Sequence, residues 1–322
     1  MVCVGMILLT ACTGGNTPKQ PTEEYTPVAP AFNTDSAYAY VEKQCAFGPR
    51  VTGTEAHAQC GEWLSAEFTR MGAVVTEQRA TFTLYDGKKV NGMNIIASYN
   101  PEASDRIIVC SHWDSRPWAD HDPDEANHHT PIDGANDGAS GVGVLLELAR
   151  LLQQNPAQVG VDLICFDAED CGTPEWDESD GSHEHTWCLG SQYWAEHHHA
   201  EGYTANCAIL LDMVGGSSTQ FCREGYSLRY APQLTDRIWS TAHKLGCGDY
   251  FSYDEGGFVT DDHLPVNRSG IPCVDIIGSD KTAGGFAQTW HTLYDNMSHI
   301  DRNTLGAVGR TVAELIYTAS PL

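Results

Sequence analysis

The chain has 322 residues, in which 18 Lys and Arg stand against 43 Asp and Glu, for a formal net charge of −25. That acid excess argues against nucleic acid and anionic membrane surfaces as partners, since both recruit basic patches. A hydrophobic share of 41% with only 19% charged residues argues against intrinsic disorder, no apolar run reaches the ~20 residues of a membrane helix, and no repeat of about 20–50 residues marks a solenoid.

In chain order, Met1–Cys12 is a short apolar stretch ending in small residues, which reads as the core and cleavage site of an export signal. Leu9-Thr10-Ala11-Cys12 resembles the bacterial lipobox, which implies a lipidated Cys12. The usual basic residues before the apolar core are missing, and the bland alternative is a buried N-terminal strand. Residues 13–33, rich in Gly, Thr, Pro, Gln and Glu, read as a flexible tether. Three segments follow: a signal segment 1–12, a tether 13–33 and a catalytic domain 34–322. The expected location is periplasmic, with a lipid anchor as the sole membrane contact.

Helical spacing is expected over Thr34–Phe47, capped by Thr34 or Asp35, and over Thr54–Met71, ended by Gly72. Ala73–Leu84 and Asn94–Tyr99 read as strands around an Asp86-Gly87 turn. Arg106–Trp113 is a buried strand, residues 114–136 a polar loop and Gly138–Gln154 a helix. Val159–Phe166 is another buried strand, followed by a loop over 170–188 and a helix at Ser191–His199. Then come a strand Ala208–Val214, a helix Pro232–Leu245, a loop 250–262, a strand Ile271–Ile277, a loop 278–300 and a closing helix Arg302–Tyr317. Strands alternate with helices, and the later strands are continuously apolar. The expected fold is therefore a single α/β domain, a mostly parallel central mixed sheet flanked by helices on both faces, with an antiparallel hairpin near its start.

The chain carries 12 cysteines. Export would permit disulfides, and Cys171 and Cys188 bracket one polar loop that a disulfide would close. The alternative is that most are small buried apolar side chains, which suits Cys165, Cys207 and Cys273 inside strand-like runs.

In a sheet of this kind ligands bind beyond the carboxyl ends of the strands, and polar clusters follow those ends. They are His112-Trp113-Asp114, Asp133–Gly141 with Asp137, Asp167–Asp170 with Glu169, Asp212, Asp261-Asp262-His263 and Trp290-His291-Thr292. Carboxylates gathered without neighbouring Lys or Arg raise one another's pKa, and a bound cation removes that penalty. Carboxylate oxygens with imidazole nitrogen suit zinc. Each cluster alone has a plainer reading: Asp137 as a helix cap, Asp167–Asp170 as a solvated loop, His291 as a buried histidine. His128-His129 and His197-His198-His199 are read as ordinary surface histidines.

Together, His112-x-Asp114-Ser115, Asp133–Gly141, Glu169-Asp170, Leu210-Leu211-Asp212 and Trp290-His291-Thr292 resemble the zinc aminopeptidase superfamily. In dinuclear members, positions matching Asp137, Asp170 and His291 hold one metal, and those matching His112, Asp137 and Asp212 hold the other. The resemblance is to the glutaminyl cyclases in particular, of the animal type as found in some bacteria. It rests on Trp290 directly before His291, Phe286 five residues before it, Asp261-Asp262-His263-Leu264-Pro265 with Arg268-x-Gly270-Ile271-Pro272, and Leu189-Gly190-Ser191. The chain departs from the animal pattern at Asp170, where Glu is usual, at Asp275, where His is usual, and at Val142, where a Cys is usual.

The resemblance implies one zinc per chain on Asp137, Asp170 and His291, with His112 as a leftover of a second site. It implies Glu169 as general base, Asp212 holding the substrate amine, and Asp261 bonding the intermediate, with Asp262 as the fallback. Trp290 and Phe286, with Trp187 or Trp176, would wall the pocket. The implied reaction closes the N-terminal Gln of peptides or proteins to pyroglutamate and releases ammonia. A monomer is expected. The alternatives are a dinuclear zinc aminopeptidase and a metal-free binding module on the same scaffold.

Overall fold

The computed structural model describes residues 25–179, 183–282 and 285–319, so the expected signal segment 1–12 lies outside the described residues. Within them the strands are β1 (Val74–Thr83), β2 (Lys89–Tyr99), β3 (Arg106–His112), β4 (Gly160–Phe166), β5 (Cys207–Asp212), β6 (Thr219–Arg223), β7 (Phe251–Glu255) and β8 (Cys273–Asp280). The helices are α1 (Thr34–Cys45), α2 (Glu55–Arg70), α3 (Ala139–Gln154), α4 (Leu189–Glu196), α5 (Gly225–Tyr230), α6 (Pro232–Lys244), α7 (His263–Arg268) and α8 (Arg302–Tyr317). The strands form one sheet in the order β1-β2-β4-β3-β5-β8-β6-β7. Its centre, β4-β3-β5-β8, is parallel. The β1–β2 hairpin joins β4 antiparallel, and β6 joins β8 antiparallel.

Continuously apolar strands are explained by a sheet covered on both faces. Along β3, Ile107 and Val109 enter one core while Ile108 and Cys110 enter the other. Along β5, Ile209 and Leu211 alternate in the same way with Ala208 and Leu210. The larger core is closed by side chains of α1, α2, α3, α6 and α8, including Val41, Phe68, Leu145, Trp239 and Val312. The smaller is closed by Trp194 of α4 and Val266 of α7.

The single α/β domain and its mixed sheet are as expected, and α8 has the expected bounds. Four differences are instructive. Asn33, one residue before the expected caps, starts α1 by accepting the Ser36 N–H at 3.1 Å. β7 lies inside the expected loop 250–262, because only Phe251 of that short edge strand is fully buried. β8 runs on to Asp280, since β6 supplies backbone partners as far as the Thr219–Asp280 pair. The last part of the expected tether is docked chain. The carboxylate of Glu314 on α8 accepts from the Tyr25 hydroxyl at 2.6 Å and from the Val28 and Ala29 N–H groups at 3.0 and 2.9 Å. Glu147 accepts the Asn33 N–H at 2.9 Å.

No disulfide forms among the described residues. Cys171 and Cys188 are both buried free thiols, so the loop between them is not closed covalently. Cys165, Cys207 and Cys273 sit in β4, β5 and β8 as small side chains of the sheet.

Candidate active site and metal centre

The parallel strands end in register, with His112 opposite Phe166 and Asp212 opposite Ile277. One edge of the sheet therefore receives His112 from β3, Asp167–Asp170 from the turn after β4, and Asp212 from β5. Asp137 arrives from the loop before α3, Asp261 from the loop before α7, and His291 from the segment between β8 and α8. Two groups result, and Asp137 belongs to both. In one, Nε2 of His112 lies 3.0 Å from Asp137 Oδ1 and 3.2 Å from Asp212 Oδ1. In the other, Nε2 of His291 lies 3.1 Å from Asp170 Oδ1 and 3.6 Å from Asp137 Oδ2. Within each group the ligand atoms all lie within 4.8 Å of one another. A side chain at Gly138 would bring a Cβ within 2.5 Å of the His112 carbonyl, so glycine is what lets this loop close on β3.

Buried charges hold these residues from behind. Asp114 accepts the Glu169 and Asp170 N–H groups, both at 3.1 Å. Asp295 accepts those of Asn136 and Asp137 at 2.8 and 3.1 Å. Arg50, fully buried, donates to the carbonyls of Trp113, Asp133 and Gly134. Arg116 grips Asp120 with two guanidinium nitrogens and reaches Asp170 Oδ1 at 3.5 Å. Asp120 in turn stands 3.6 Å from Nδ1 of His291. The sequence reading of a cluster without cationic neighbours is thus corrected. Arg116 is only two residues beyond Asp114, but the polar loop 114–136 folds it inward under Trp187, whose ring centroid lies 4.6 Å from the guanidinium.

The electrostatics follow from burial. Burial pushes Asp137 well above the usual carboxylate range, Asp170 and Asp212 push it further, and His112 opposes them. Glu169 is raised well above that range by burial, reinforced by Asp170, Asp261 and Asp262. Asp261 is raised by burial and by Asp212. Asp170 goes the other way: burial would raise it, but His291 and Arg116 hold it below its ordinary value.

All of the expected site residues line one cavity of about 500 Å³: Asp137, Asp170, His291, Glu169, Asp212, Asp261, Trp187, Phe286 and Trp290. Trp290 lies against His291 with ring centroids 3.8 Å apart, and Phe286 packs on Trp290 at 4.7 Å. Trp187 lies parallel to the His291 ring at 6.1 Å. The open alternatives resolve. Trp176 does not line the cavity but packs on Trp118 and His129. Asp262 is turned away and accepts from the Ser191 hydroxyl. His197 and His199 pack on Tyr193 and Trp194 at the end of α4. The sequence reading assigned no role to Arg116, Asp120 or Asp295. Their loop is non-helical, so the i, i+4 spacing of Arg116 and Asp120 gave no local signal that pairs them.

Two carboxylates and one imidazole, buried and convergent, fit a divalent cation with a preference for oxygen and nitrogen. Asp170 Oδ2 is buried with no hydrogen-bond partner, as expected of an oxygen that a metal engages. The site can therefore hold a Lewis acid beside a raised, unliganded carboxylate, Glu169, in a pocket walled by aromatic rings.

Comparisons with known proteins agree with this arrangement. The chain is 28% identical over 257 residues to aminopeptidase YwaD of Bacillus subtilis, a match covering 77% of this chain and about half, 49%, of that relative's length. Among solved structures it resembles a leucine aminopeptidase precursor from Bacteroides thetaiotaomicron, with a TM-score of 0.88 and 51% identity, covering 92% of this chain and 100% of that one. It equally resembles Bacteroides thetaiotaomicron glutaminyl cyclase bound to N-acetylhistamine, with a TM-score of 0.88 and 52% identity, covering 91% of this chain and 100% of that one. Residues 94–316 match peptidase family M28, and with the shared sheet and the ligand sets at its carboxyl edge, the chain belongs to that family.

Proposed function

We propose that this chain is a zinc-dependent glutaminyl-peptide cyclotransferase, which closes N-terminal Gln of peptides and proteins to pyroglutamate and releases ammonia. The observation that carries this reading is the aromatic wall, Trp290 against ligand His291 with Phe286 and Trp187 beside it, enclosing three carboxylates that are free to handle an amine. The likeness to the Bacteroides glutaminyl cyclase over the whole of that chain supports it.

One zinc would be held by Asp137, Asp170 and His291, where it would supply Lewis-acid polarisation of the γ-carbonyl oxygen. Glu169 takes a proton from the attacking α-amine and returns one to the departing ammonia, a task suited to a buried carboxylate that adjoins a ligand without being one. Asp212 orients the α-amine, because closing a ring on a bound substrate is mainly a matter of positioning. Asp261 accepts a hydrogen bond from the reacting amide. Trp290, Phe286 and Trp187 keep water from competing with the amine. The peptide beyond its first residue points out of the cavity, and a monomer suffices.

Glu169→Gln is expected to keep the metal and lose turnover by about 100- to 10,000-fold, the range of general acid–base groups; near-normal turnover would remove Glu169 from this role. Metal analysis should return one zinc per active chain, and His291→Ala should lose metal and activity together. The raised carboxylates retain protons in the folded, metal-free chain that the unfolded chain has already released. Chelated protein should therefore lose stability as pH rises above the ordinary carboxylate range. Zinc at a fixed concentration, a thousandfold above its Kd at neutral pH, should restore about 4 kcal/mol there, roughly 5–10 °C in Tm, with the gap between the two forms narrowing as pH falls and protons compete for the ligands.

A dinuclear aminopeptidase is the second reading, favoured by the intact His112, Asp137 and Asp212 group. A panel of Gln-, Glu-, Leu- and Ala-initiated peptides separates the two. Gln peptides should yield pyroglutamate and ammonia and Glu peptides react poorly, because a γ-carboxylate meets Glu169, Asp212 and Asp261. The rate should climb toward mildly basic pH as an amine of pKa near about 8 loses its proton. Release of free Leu or Ala with two metals per chain, and no pyroglutamate, would give the site to the peptidase.

The location is likewise a proposal: an exported lipoprotein anchored through Cys12, with the catalytic domain in the periplasm. It rests on Leu9–Cys12 and the polar residues that follow. Mass spectrometry of the membrane fraction should find an acylated Cys12, whereas a mature chain beginning elsewhere and recovered in the soluble fraction would reject the anchor.

A further inference from the structure

The turn after β4 carries both a metal ligand and the proposed proton carrier, and the backbone holds it by a short ladder. Cys188 N–H donates to the Glu169 carbonyl at 2.9 Å, Leu189 N–H to that of Ala168 at 3.1 Å, and Gly190 N–H to that of Asp167 at 2.9 Å. Ala168 and Cys188 both adopt left-handed backbone angles, φ 53° and 57°, which non-glycine residues rarely hold without such support. The Ser191 hydroxyl donates to the Cys188 carbonyl at 3.1 Å. The direction of the Cys188 side chain is therefore set by the same ladder that sets the turn.

That side chain ends beside the base. Sγ of Cys188 lies 3.3 Å from Glu169 Oε1, and sulfur, a Glu169 oxygen and an Asp261 oxygen all fall within 4.8 Å of one another. Among the described residues, the thiol is the group whose side chain donates a hydrogen bond to the Glu169 carboxylate. Cys188 is 2% exposed and Glu169 8%, so water has little access to this contact.

We propose that Cys188 is a positioning residue for Glu169. Its S–H holds Oε1, fixes the carboxylate's rotamer and leaves the second oxygen for the substrate's protons. This rests on the reading of Glu169 as the proton carrier. A thiol suits the task because it is a weak donor: it fastens the group while drawing little electron density from it, where an ammonium would bind the charge more tightly. Burial, with Glu169, Asp262 and Asp261 nearby, pushes the Cys188 thiol well above its ordinary value, so the sulfur keeps the hydrogen it donates. The role also accounts for an unoxidised cysteine at the end of the loop that begins at Cys171.

The test is a double-mutant cycle in the zinc-loaded protein. Cys188→Ala should lower kcat by about 10- to 100-fold, as misplaced catalytic groups do, with KM within about twofold and zinc content unchanged. Cys188→Ser, which restores a donor, should recover most of the loss. In the Glu169→Gln background, Cys188→Ala should change residual activity by less than about twofold. Equal losses in both backgrounds, loss of zinc, or an unaffected kcat would each overturn the proposal. Should Cys188→Ala not fold, the infrared S–H stretch, assigned from the wild-type minus Cys188→Ser difference, supplies the same decision. It should move to higher wavenumber in Glu169→Ala, and a band that stays in place overturns the contact. Near-normal turnover in Glu169→Gln alone would instead remove the premise, a separate result.

Discussion

Everything at this site answers to one electrostatic constraint: Asp137, Glu169, Asp170, Asp212 and Asp261 are buried together at one edge of the sheet. Like charges at this spacing and in this degree of burial oppose ionisation and oppose folding. Two kinds of partner offset the penalty, while the backbone N–H groups of Asn136, Asp137, Glu169 and Asp170 are taken up by Asp295 and Asp114. His291 and Arg116 lower Asp170. The remainder is an excess of negative charge that a divalent cation matches, at the point where Asp170 Oδ2 has no hydrogen-bond partner among the described residues.

The division of labour among chemically identical groups follows from the same arrangement. Asp170 and Glu169 are sequence neighbours, yet Arg116 and His291 hold one ionised while burial among acids raises the other. The two neighbouring carboxylates are thus set apart by their environments. The Glu169 and Asp170 N–H groups both donate to the Asp114 carboxylate, which fixes the backbone of the pair, and the Cys188 thiol donates to the Glu169 carboxylate.

The same scaffold accommodates one metal or two, since Asp137 directs one oxygen to each group. What narrows the chemistry is the wall and not the ligand list. Trp290 lies on His291, Phe286 lies on Trp290, and Trp187 covers Arg116 from the other side. These rings bound one side of a pocket of about 500 Å³ whose other side is lined by Asp137, Glu169, Asp170, Asp212 and Asp261.

Much of this was legible in the sequence. Alternation of apolar strands with amphipathic helices specified the two-sided sheet, and acids and imidazoles placed just after those strands specified the edge at which they would meet, because strand ends are local features and parallel register aligns them. The order of His112, Asp137, Glu169-Asp170, Asp212 and Trp290-His291 was likewise readable from residue types alone. Only the tertiary structure decided the rest. Whether Trp187 or Trp176 reaches the cavity, and whether Asp261 or Asp262 faces it, depends on loop paths that no periodicity encodes. The short strands β6 and β7 carry too few apolar residues to announce themselves and exist because their neighbours supply backbone partners. Arg116 lies in a polar loop that gave it no role; long-range folding buries it against Asp120 and Asp170. Cys171 and Cys188, which sequence spacing offered as a disulfide, are instead separate buried thiols, because the ladder from 167–169 to 188–190 fixes the loop ends through the backbone and turns one sulfur toward Glu169.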